Sequence, residues 1–494
     1  MSHQTPAELQ AAAKELLVKY LPEKDTLKAK QRIGIPVQDM PSQDPGVRIT
    51  NLDEVALGYS EEQAKLEAIR CTQCKKRPCI EACPVKIDIP KFIKYIADGE
   101  MQNAADVIKE SSLLPAICGR VCPQEVQCQQ PCTVSKSLKD VNKGVSIGRL
   151  ERYVADWEQA TGNVKAPEVK PETGKKVAIV GAGPAGLVVA ADVRREGHSV
   201  TIFEAFHKLG GVMRYGIPEF RLPNTVIDQQ VQILEDMGVE FQTNYVVGKT
   251  RKLVDLMKKD GFDAVFVGSG AGLPIFMGIE GEDLIGVFSA NEYLTRANLM
   301  GAYNREKAHT PIYKSKKVAV LGGGNVAMDS ARMSKRLGAD EVYVVYRRTE
   351  VEMPARNEEI AHAKEEGIEF YFLQNAKSII GENGKVKAME CLRYELGEPD
   401  DSGRRRPVEI KGSEFLLDVD TVIVAIGNGS NPLIPQTTEQ LNVNKWGNII
   451  VDEGQETSMK GVFAGGDIVL GAATVILAMG EGRRAAASIN EMLK

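Results

Sequence analysis

One short phrase occurs twice in this chain. It reads Lys175-Lys176-Val-Ala-Ile-Val-Gly-Ala-Gly-Pro-Ala-Gly186 and then Lys316-Lys317-Val-Ala-Val-Leu-Gly-Gly-Gly-Asn-Val-Ala327. Each copy is a β-branched strand, a glycine turn and the start of a helix, so the C-terminal two thirds is expected to be α/β with two dinucleotide-binding units. In the first copy Gly181 makes the tight turn, Gly183 lets backbone approach a diphosphate, and Gly186 lets helix pack on strand. Pro184 and Ala185 open the helix, whose N-terminus favours the anion. The next strand, Ser199 to Phe203, runs into Glu204 and Ala205, and an acid at that point suits ribose hydroxyls.

Further along, Gly465-Gly466-Asp467 follows a strand, and its carboxylate fits the ribityl and phosphate end of a flavin nucleotide. A helix is expected to start near Ala473-Thr474, with its positive end toward the flavin ring. The second copy differs. Gly322, Gly323 and Gly324 make the turn, Asn325 and Val326 open the helix, and Ala327 replaces the last glycine. Its second strand ends in Arg347-Arg348 rather than an acid, which favours a 2′-phosphate and hence NADP(H) over NAD(H).

Eight of the nine cysteines crowd between Cys71 and Cys132. They fall into Cys71-x2-Cys74-x4-Cys79-x3-Cys83-Pro84 and Cys118-x3-Cys122-Pro123-x4-Cys128-x3-Cys132. A zinc ribbon needs two Cys-x2-Cys knuckles, and only one is present. Runs with a Cys-Pro step are of the ferredoxin type, and eight thiols suit two [4Fe–4S] clusters. Cys391 stands apart and is expected to be buried or inert.

Function classes can be excluded on simple grounds. The net charge is −5 and no long basic stripe is present, which argues against nucleic acid. Arg404-Arg405-Arg406 is expected to be a solvated turn. No apolar run reaches the roughly 18–20 residues of a membrane span. Met1-Ser2-His3-Gln4 carries no signal-peptide pattern, and thiol-rich chains without disulfides belong in a reducing compartment, so a cytoplasmic location is expected. At 494 residues several domains are expected. Residues 1–160 read as a helical cysteine-bearing domain, with Leu9, Leu16, Leu17 and Tyr20 sharing one face of a helix over Pro6–Leu21. Residues 161–175 are rich in Lys, Pro and Glu and read as a linker. Residues 176–295 and 426–494 form the FAD domain, interrupted by an NADP(H) domain at 296–425. The strands Val422–Gly427 and Val462–Asp467 both look like the return to the first domain.

In Arg70-Cys71, Gly119-Arg-Val-Cys-Pro123, Ile147-Gly148, the two fingerprints and Tyr346-Arg-Arg348, the chain resembles the small-subunit family of NADPH-dependent glutamate synthase. This family includes the large subunit of bifurcating NADH-dependent ferredoxin:NADP oxidoreductase, and the same domains recur at the N-terminal end of dihydropyrimidine dehydrogenase. The resemblance implies FAD, NADP(H) and two [4Fe–4S] clusters. It implies one cluster on Cys71, Cys74, Cys79 and Cys132. The other would use Cys83, Cys122 and Cys128 with Glu151, Cys118 being the alternative fourth ligand. It also implies that Gly210, Gly211, Arg214 and Arg221 line the flavin, that Gly270 lies at the crossover between nucleotide domains, and that Glu352-Met353-Pro354-Ala355 lies near NADP. Gly427 is placed with the nucleotide-contacting positions.

The implied activity is hydride transfer from nicotinamide to flavin, then single-electron steps through the clusters, with no catalytic side chain. The partner would be a redox subunit, either like the large subunit of glutamate synthase or a small flavin–iron–sulfur subunit. The second residue is Ser2 rather than the cysteine nucleophile of a glutaminase, and the chain has no room for a glutamate-forming barrel. Bifurcating transhydrogenase and sulfide dehydrogenase subunits share the pattern. A non-catalytic electron-transfer module and a zinc-stabilised module are the alternatives of other classes.

Overall fold

The computed structural model describes residues 4–494 except 163, 165, 305, 307, 309 and 402. The first three residues of the N-terminal stretch and two residues of the expected linker therefore lie outside the described residues. Among the described residues no helix is long and apolar enough to cross a membrane.

The N-terminal third is helical. Thr5 and Glu8 form a capping box that starts the helix Pro6–Tyr20, and Ser60 with Gln63 does the same for Glu61–Ile69. Ala13 and Leu17 of the first helix pack on Leu66 and Ile69 of the second. Two later helices, Pro115–Val121 and Ile147–Thr161, touch backbone to backbone. A Cβ on Gly119 would lie 2.6 Å from the Arg152 nitrogen, and one on Gly148 would lie 1.9 Å from Gln124 Nε2. At Gly119 the neighbour is backbone, so no larger residue fits without moving the helices apart; at Gly148 the neighbour is the end of the Gln124 side chain, which would have to swing aside.

The remainder holds two parallel sheets. Strands β1 (Lys176–Val180), β2 (Ser199–Phe203), β3 (Glu240–Gln242), β4 (Ala264–Val267) and β16 (Val462–Ala464) form one, in the order β16-β4-β1-β2-β3. Strands β6 (Val287–Ser289), β7 (Lys317–Leu321), β8 (Glu341–Tyr346), β9 (Glu369–Phe372) and β14 (Thr421–Val424) form the other, in the order β6-β14-β7-β8-β9. All their pairings are parallel, and β1, β4, β7 and β14 are almost wholly buried, as sheets covered on both faces require. Two short strands, β5 (Leu273–Pro274) and β15 (Asn428–Gly429), pair antiparallel where the chain passes out of the first sheet and back.

Four expectations change. The strand at Val422 belongs to the second sheet, where it pairs with β6 and β7; only the strand at Val462 returns to the first. The second sheet begins at Val287, ahead of the expected division at 295/296, because β6 pairs with β14. Arg405 and Arg406 open the exposed strand β12 (Arg405–Glu409) rather than sit in a turn. This strand is part of an antiparallel layer with β10 (Gln374–Glu382), β11 (Lys385–Pro399) and β13 (Phe415–Asp418). Nor is the stretch after 165 a free linker: Lys170 N–H donates to Arg195 O and Thr173 N–H to Gly197 O, both at 3.0 Å.

A buried ion lattice joins the helical region to both sheets. Arg332 is fully buried and pairs with Glu359 and with Glu366 at 2.7 Å. Arg48, also fully buried, reaches Glu366 at 2.8 Å from the N-terminal region. Arg120 and Arg152 share Glu54 at 2.7 and 3.0 Å, and Arg149 meets Glu358 at 3.3 Å. Burial pushes the Glu359 carboxyl up, but Arg221 and Arg332 outweigh it and hold it at about 2. Removing one partner from such a set strands the others. Arg332→Ala is expected to cost about 3–5 kcal/mol, whereas Lys94→Ala, which breaks an exposed pair, costs under about 1 kcal/mol. Thermal or denaturant unfolding of the two variants measures this, and equal losses would contradict it.

Candidate functional site

The three glycines of the first turn meet three different surroundings. Gly181 has φ 105°, and a Cβ there would sit 2.5 Å from Gly268 O. A Cβ on Gly186 would lie 2.0 Å from Gly181 O, so helix and strand need a glycine. A Cβ on Gly183 would meet nothing within 4 Å. The turn is therefore rigid at two points and open at the third, where its backbone can face a ligand. Pro184 is the first residue of the helix Pro184–Arg195, Ala185 is buried in it, and Ala205 is exposed beyond β2. Gly210 N–H bonds to Ala182 O at 3.1 Å, and Gly211 abuts Gly183 Cα at 2.8 Å from its would-be Cβ. Glu204 is buried and accepts from Ala182 N–H at 2.8 Å and Phe206 N–H at 2.9 Å. Burial raises its pKa, and those backbone bonds partly offset the rise.

Across the sheet, Gly466 N–H donates to Glu481 Oε2 at 2.8 Å. Asp467 accepts from Ala473 N–H at 3.3 Å. The helix Val475–Met492 is capped by Thr474, whose side chain accepts from Leu477 N–H. Burial lifts the Asp467 carboxyl to about 6.

Two arginines expected beside the flavin are committed to the protein. Arg214 donates to Leu209 O at 2.7 Å and Asn224 Oδ1 at 3.2 Å, and pairs with Asp228. Arg221 reaches across to the second sheet's helices, with both Asp329 oxygens at 2.8 Å and Glu359 at 3.1 Å. Each guanidinium already has its anion.

The second turn repeats the first with one change. Gly322 has φ 144° and a Cβ there would lie 2.3 Å from Ala425 O. A Cβ on Gly323 would enter the Tyr346 ring at 2.8 Å, while one on Gly324 meets only Pro354 at 3.9 Å. Asn325 accepts from Arg356 N–H at 2.9 Å, which ties the turn to the Glu352–Ala355 stretch, and Val326 is exposed. The two arginines after β8 are not equivalent. Arg347 is exposed, whereas Arg348 is buried and bonded to Arg405 O and Asp400, both at 2.7 Å. Where the chain crosses between sheets, Gly270 and Gly427 have φ of 73° and 123°, with nothing within 4 Å of a Cβ.

The cysteines divide between two cavities. The first is walled by Cys71, Cys74, Cys79 and Cys132, the second by Cys83, Cys122, Cys128 and Glu151. Ile89 and Ile147 belong to both walls, and Ile476 of the C-terminal helix to the second. Ile476 carries no motif, and only the fold brings it there. Among the described residues no three His, Cys, Asp or Glu side chains converge on a single ion; the thiols instead surround cavities. All nine cysteines are free. Burial pushes the thiols of Cys71 and Cys79 up to about 12 and that of Cys83 to about 11, so loading with metal must displace protons. Glu151 is buried, its Oε1 has no hydrogen-bond partner, and burial lifts its carboxyl to about 8. A buried carboxylate without a partner is suited to a positive ligand. Cys118 lies in neither wall, and its sulfur rests 3.5 Å from that of Met479.

Helical thiol cavities set beside two dinucleotide turns define a pyridine-nucleotide oxidoreductase with an iron–sulfur domain. The family described as dihydropyrimidine dehydrogenase domain II, 4Fe-4S cluster, matches residues 48–163, and that described as pyridine nucleotide-disulphide oxidoreductase matches 175–482. The small chain of NADPH-dependent glutamate synthase from Escherichia coli K12 is 38% identical over 94% of this chain and 98% of its own length. That from Azospirillum brasilense is 36% identical over 92% and 95%. The β subunit of NADP(+)-dependent formate dehydrogenase from Moorella thermoacetica is 39% identical over 84% of this chain and 60% of its own. Mycobacterium tuberculosis FprA in complex with NADPH shares the fold, with a TM-score of 0.54 and 21% identity over 65% of this chain and 84% of that one. The chain belongs to the glutamate synthase small-chain family. It is an NAD(P)H-dependent oxidoreductase whose cofactors are FAD, NADP(H) and iron–sulfur of the [4Fe–4S] type.

A carboxyl whose folded pKa lies above its unfolded value binds its proton more tightly when folded. The cost of burying Asp467 as an anion is thus fully present above about pH 6, shrinks as pH falls from there, and vanishes only below the unfolded carboxyl's pKa of about 3.8. Asp467→Asn in the flavin-free protein is expected to gain up to about 3 kcal/mol over wild type at pH 7.5, about half that at pH 5 and nothing near pH 3. Unfolding midpoints across that range test it, and a pH-independent difference would contradict it.

Proposed function

We propose that this chain is the NADPH-oxidising subunit of a larger redox enzyme, with FAD on the first sheet, NADP(H) on the second and two [4Fe–4S] clusters in the helical domain. The observation that carries this reading is the division of seven cysteines and Glu151 into two cavities of four ligands each. Cys71, Cys74, Cys79 and Cys132 hold one cluster; Cys83, Cys122, Cys128 and Glu151 hold the other. Glu151 is preferred to Cys118 because its carboxylate is buried, unpartnered and in the cavity wall.

With these groups bound, FAD accepts hydride from NADPH and the clusters pass electrons singly. The chain's own residues bind and orient. Gly183 and the helix behind it receive the FAD diphosphate, Glu204 the ribose, and Gly466 with Asp467 the ribityl and phosphate end. Thr474 caps the helix whose N-terminus faces the flavin. Gly324 receives the NADP diphosphate. Arg347 binds the 2′-phosphate, while Arg348, through Asp400, holds the strand end in place. Gly270 and Gly427 leave room at the crossover for the two nucleotides to meet. Residues 1–160 act as the cluster domain, and the two sheets as the FAD and NADP(H) domains. The matching relatives named as a small chain and a β subunit are subunits. The partner here is taken to be a redox subunit of the glutamate synthase large-subunit kind, in the reducing cytoplasm.

Three experiments test the reading. In anaerobic titration of loaded protein, NADPH should bleach the flavin band near ~450 nm, with about eight irons per chain. Glu151→Ala should lower the iron to about four, while Cys118→Ser leaves it unchanged. No bleaching, or iron lost with Cys118 rather than Glu151, would contradict it. Arg347→Ala should raise KM for NADPH about tenfold or more with little change for NADH, as loss of a charge-assisted phosphate contact predicts. Equal effects on both nucleotides would contradict that role.

A further inference from the structure

The two cavities lie at different depths. Of the first cavity's cysteines Cys71, Cys74 and Cys132 are half-buried and Cys79 is buried, whereas all three of the second, Cys83, Cys122 and Cys128, are buried. The second cavity has the C-terminal helix in its wall, and the first has not. The first cavity is the outward one.

Its rim is basic. The stretches that carry its four cysteines, 71–91 and 132–143, hold Lys75, Lys76, Arg77, Lys86, Lys91, Lys136, Lys139 and Lys143 against only Glu81, Asp88 and Asp140. This excess of five positive charges sits in a chain whose net charge is −5. All eight cations are exposed. Each acid is already matched: Asp88 with Arg77 at 3.2 Å, Glu81 with Lys86 at 2.9 Å, and Asp140 with Lys143 at 3.6 Å. Lys75, Lys76, Lys91, Lys136 and Lys139 make no ion pair among the described residues. The neighbouring helix Ala29–Ile33 adds exposed Lys28 and Lys30, and its Arg32 donates to Ile69 O at 2.7 Å and Cys71 O at 3.4 Å.

Unpaired lysines that repel one another do nothing for the fold. Around a shallow redox site they attract and orient an oppositely charged partner. We propose that this rim is a docking surface for a redox protein that carries an acidic collar around its own centre. The inference rests on reading the first cavity as a cluster site. It adds that recognition there is electrostatic and salt-sensitive.

The test uses the full, iron-loaded chain and the triple variant Lys75→Glu/Lys76→Glu/Lys136→Glu, with a small acidic [2Fe–2S] ferredoxin as the probe and basic cytochrome c as the control. Binding to immobilised protein is measured at about 50 and 300 mM salt. The wild type should bind the ferredoxin about tenfold more weakly at the higher salt, and the variant should bind it at least about tenfold more weakly than wild type at the lower salt. The variant should gain affinity for cytochrome c. Iron content and NADPH–ferricyanide activity, which need no docking, should stay at wild-type levels. If the variant loses iron, the Lys→Gln triple replaces it. Unchanged ferredoxin binding at full iron content would overturn the proposal, as would heparin binding as tight as ferredoxin binding. Wild-type protein that takes up no iron would instead overturn the cluster assignment on which the proposal rests.

Discussion

One helix sets the distance between the nucleotide sheet and the cysteine cavities. Val475–Met492 lies on both, and it does so through two glycines. A Cβ on Gly482 would stand 2.8 Å from Ala185 O, inside the first fingerprint, and one on Gly480 would stand 3.2 Å from Pro84 O, next to Cys83. Larger side chains would push one neighbour away. Because the backbone approaches so closely, the start of the same helix serves both sites. Thr474 caps it near Asp467, and Ile476, two residues on, is in the wall of the second cavity. Electron transfer falls steeply with distance, so this packing is where the fold becomes function.

Charge is handled in opposite ways in two parts of the molecule. Where the second sheet's domain meets the helical region and the first sheet it is buried and matched: Arg48, Arg221 and Arg332 each have carboxylates within 3.1 Å. Such a lattice adds little net stability over an apolar core, but it tolerates few relative positions, and it fixes the domain of the second sheet against the others. At the outer cavity the cations are exposed and mostly unmatched. Matched buried charge holds domains in place; unmatched surface charge is available to another molecule.

What could be read in the sequence was local. The glycine turns, their order and the helix starting at Val475 depend on residues a few positions apart, and the structure has them at those positions. Choices of partner over long distances were not legible. Nothing near Arg348 announces that Asp400 and Arg405 will take its guanidinium, and nothing near Arg221 points to Asp329. The strand at Val422 carries the same apolar run as the one at Val462, so which sheet it joins depends on the strands it meets. The resemblance put Glu151 first and left Cys118 as the alternative. They separate only when helix packing turns the thiol toward Met479 and leaves the carboxylate in the cavity. The antiparallel layer from Gln374 to Asp418 interrupts the α/β pattern without a motif of its own.

The central claim is that two clusters stand in sequence beside one flavin. Electron paramagnetic resonance of the iron-loaded protein, fully reduced with dithionite, tests it most directly. Two neighbouring reduced [4Fe–4S] clusters should give broadened, mutually coupled signals that integrate to about two spins per chain. A single uncoupled signal of about one spin, or no signal from protein that has bound zinc, would contradict the account.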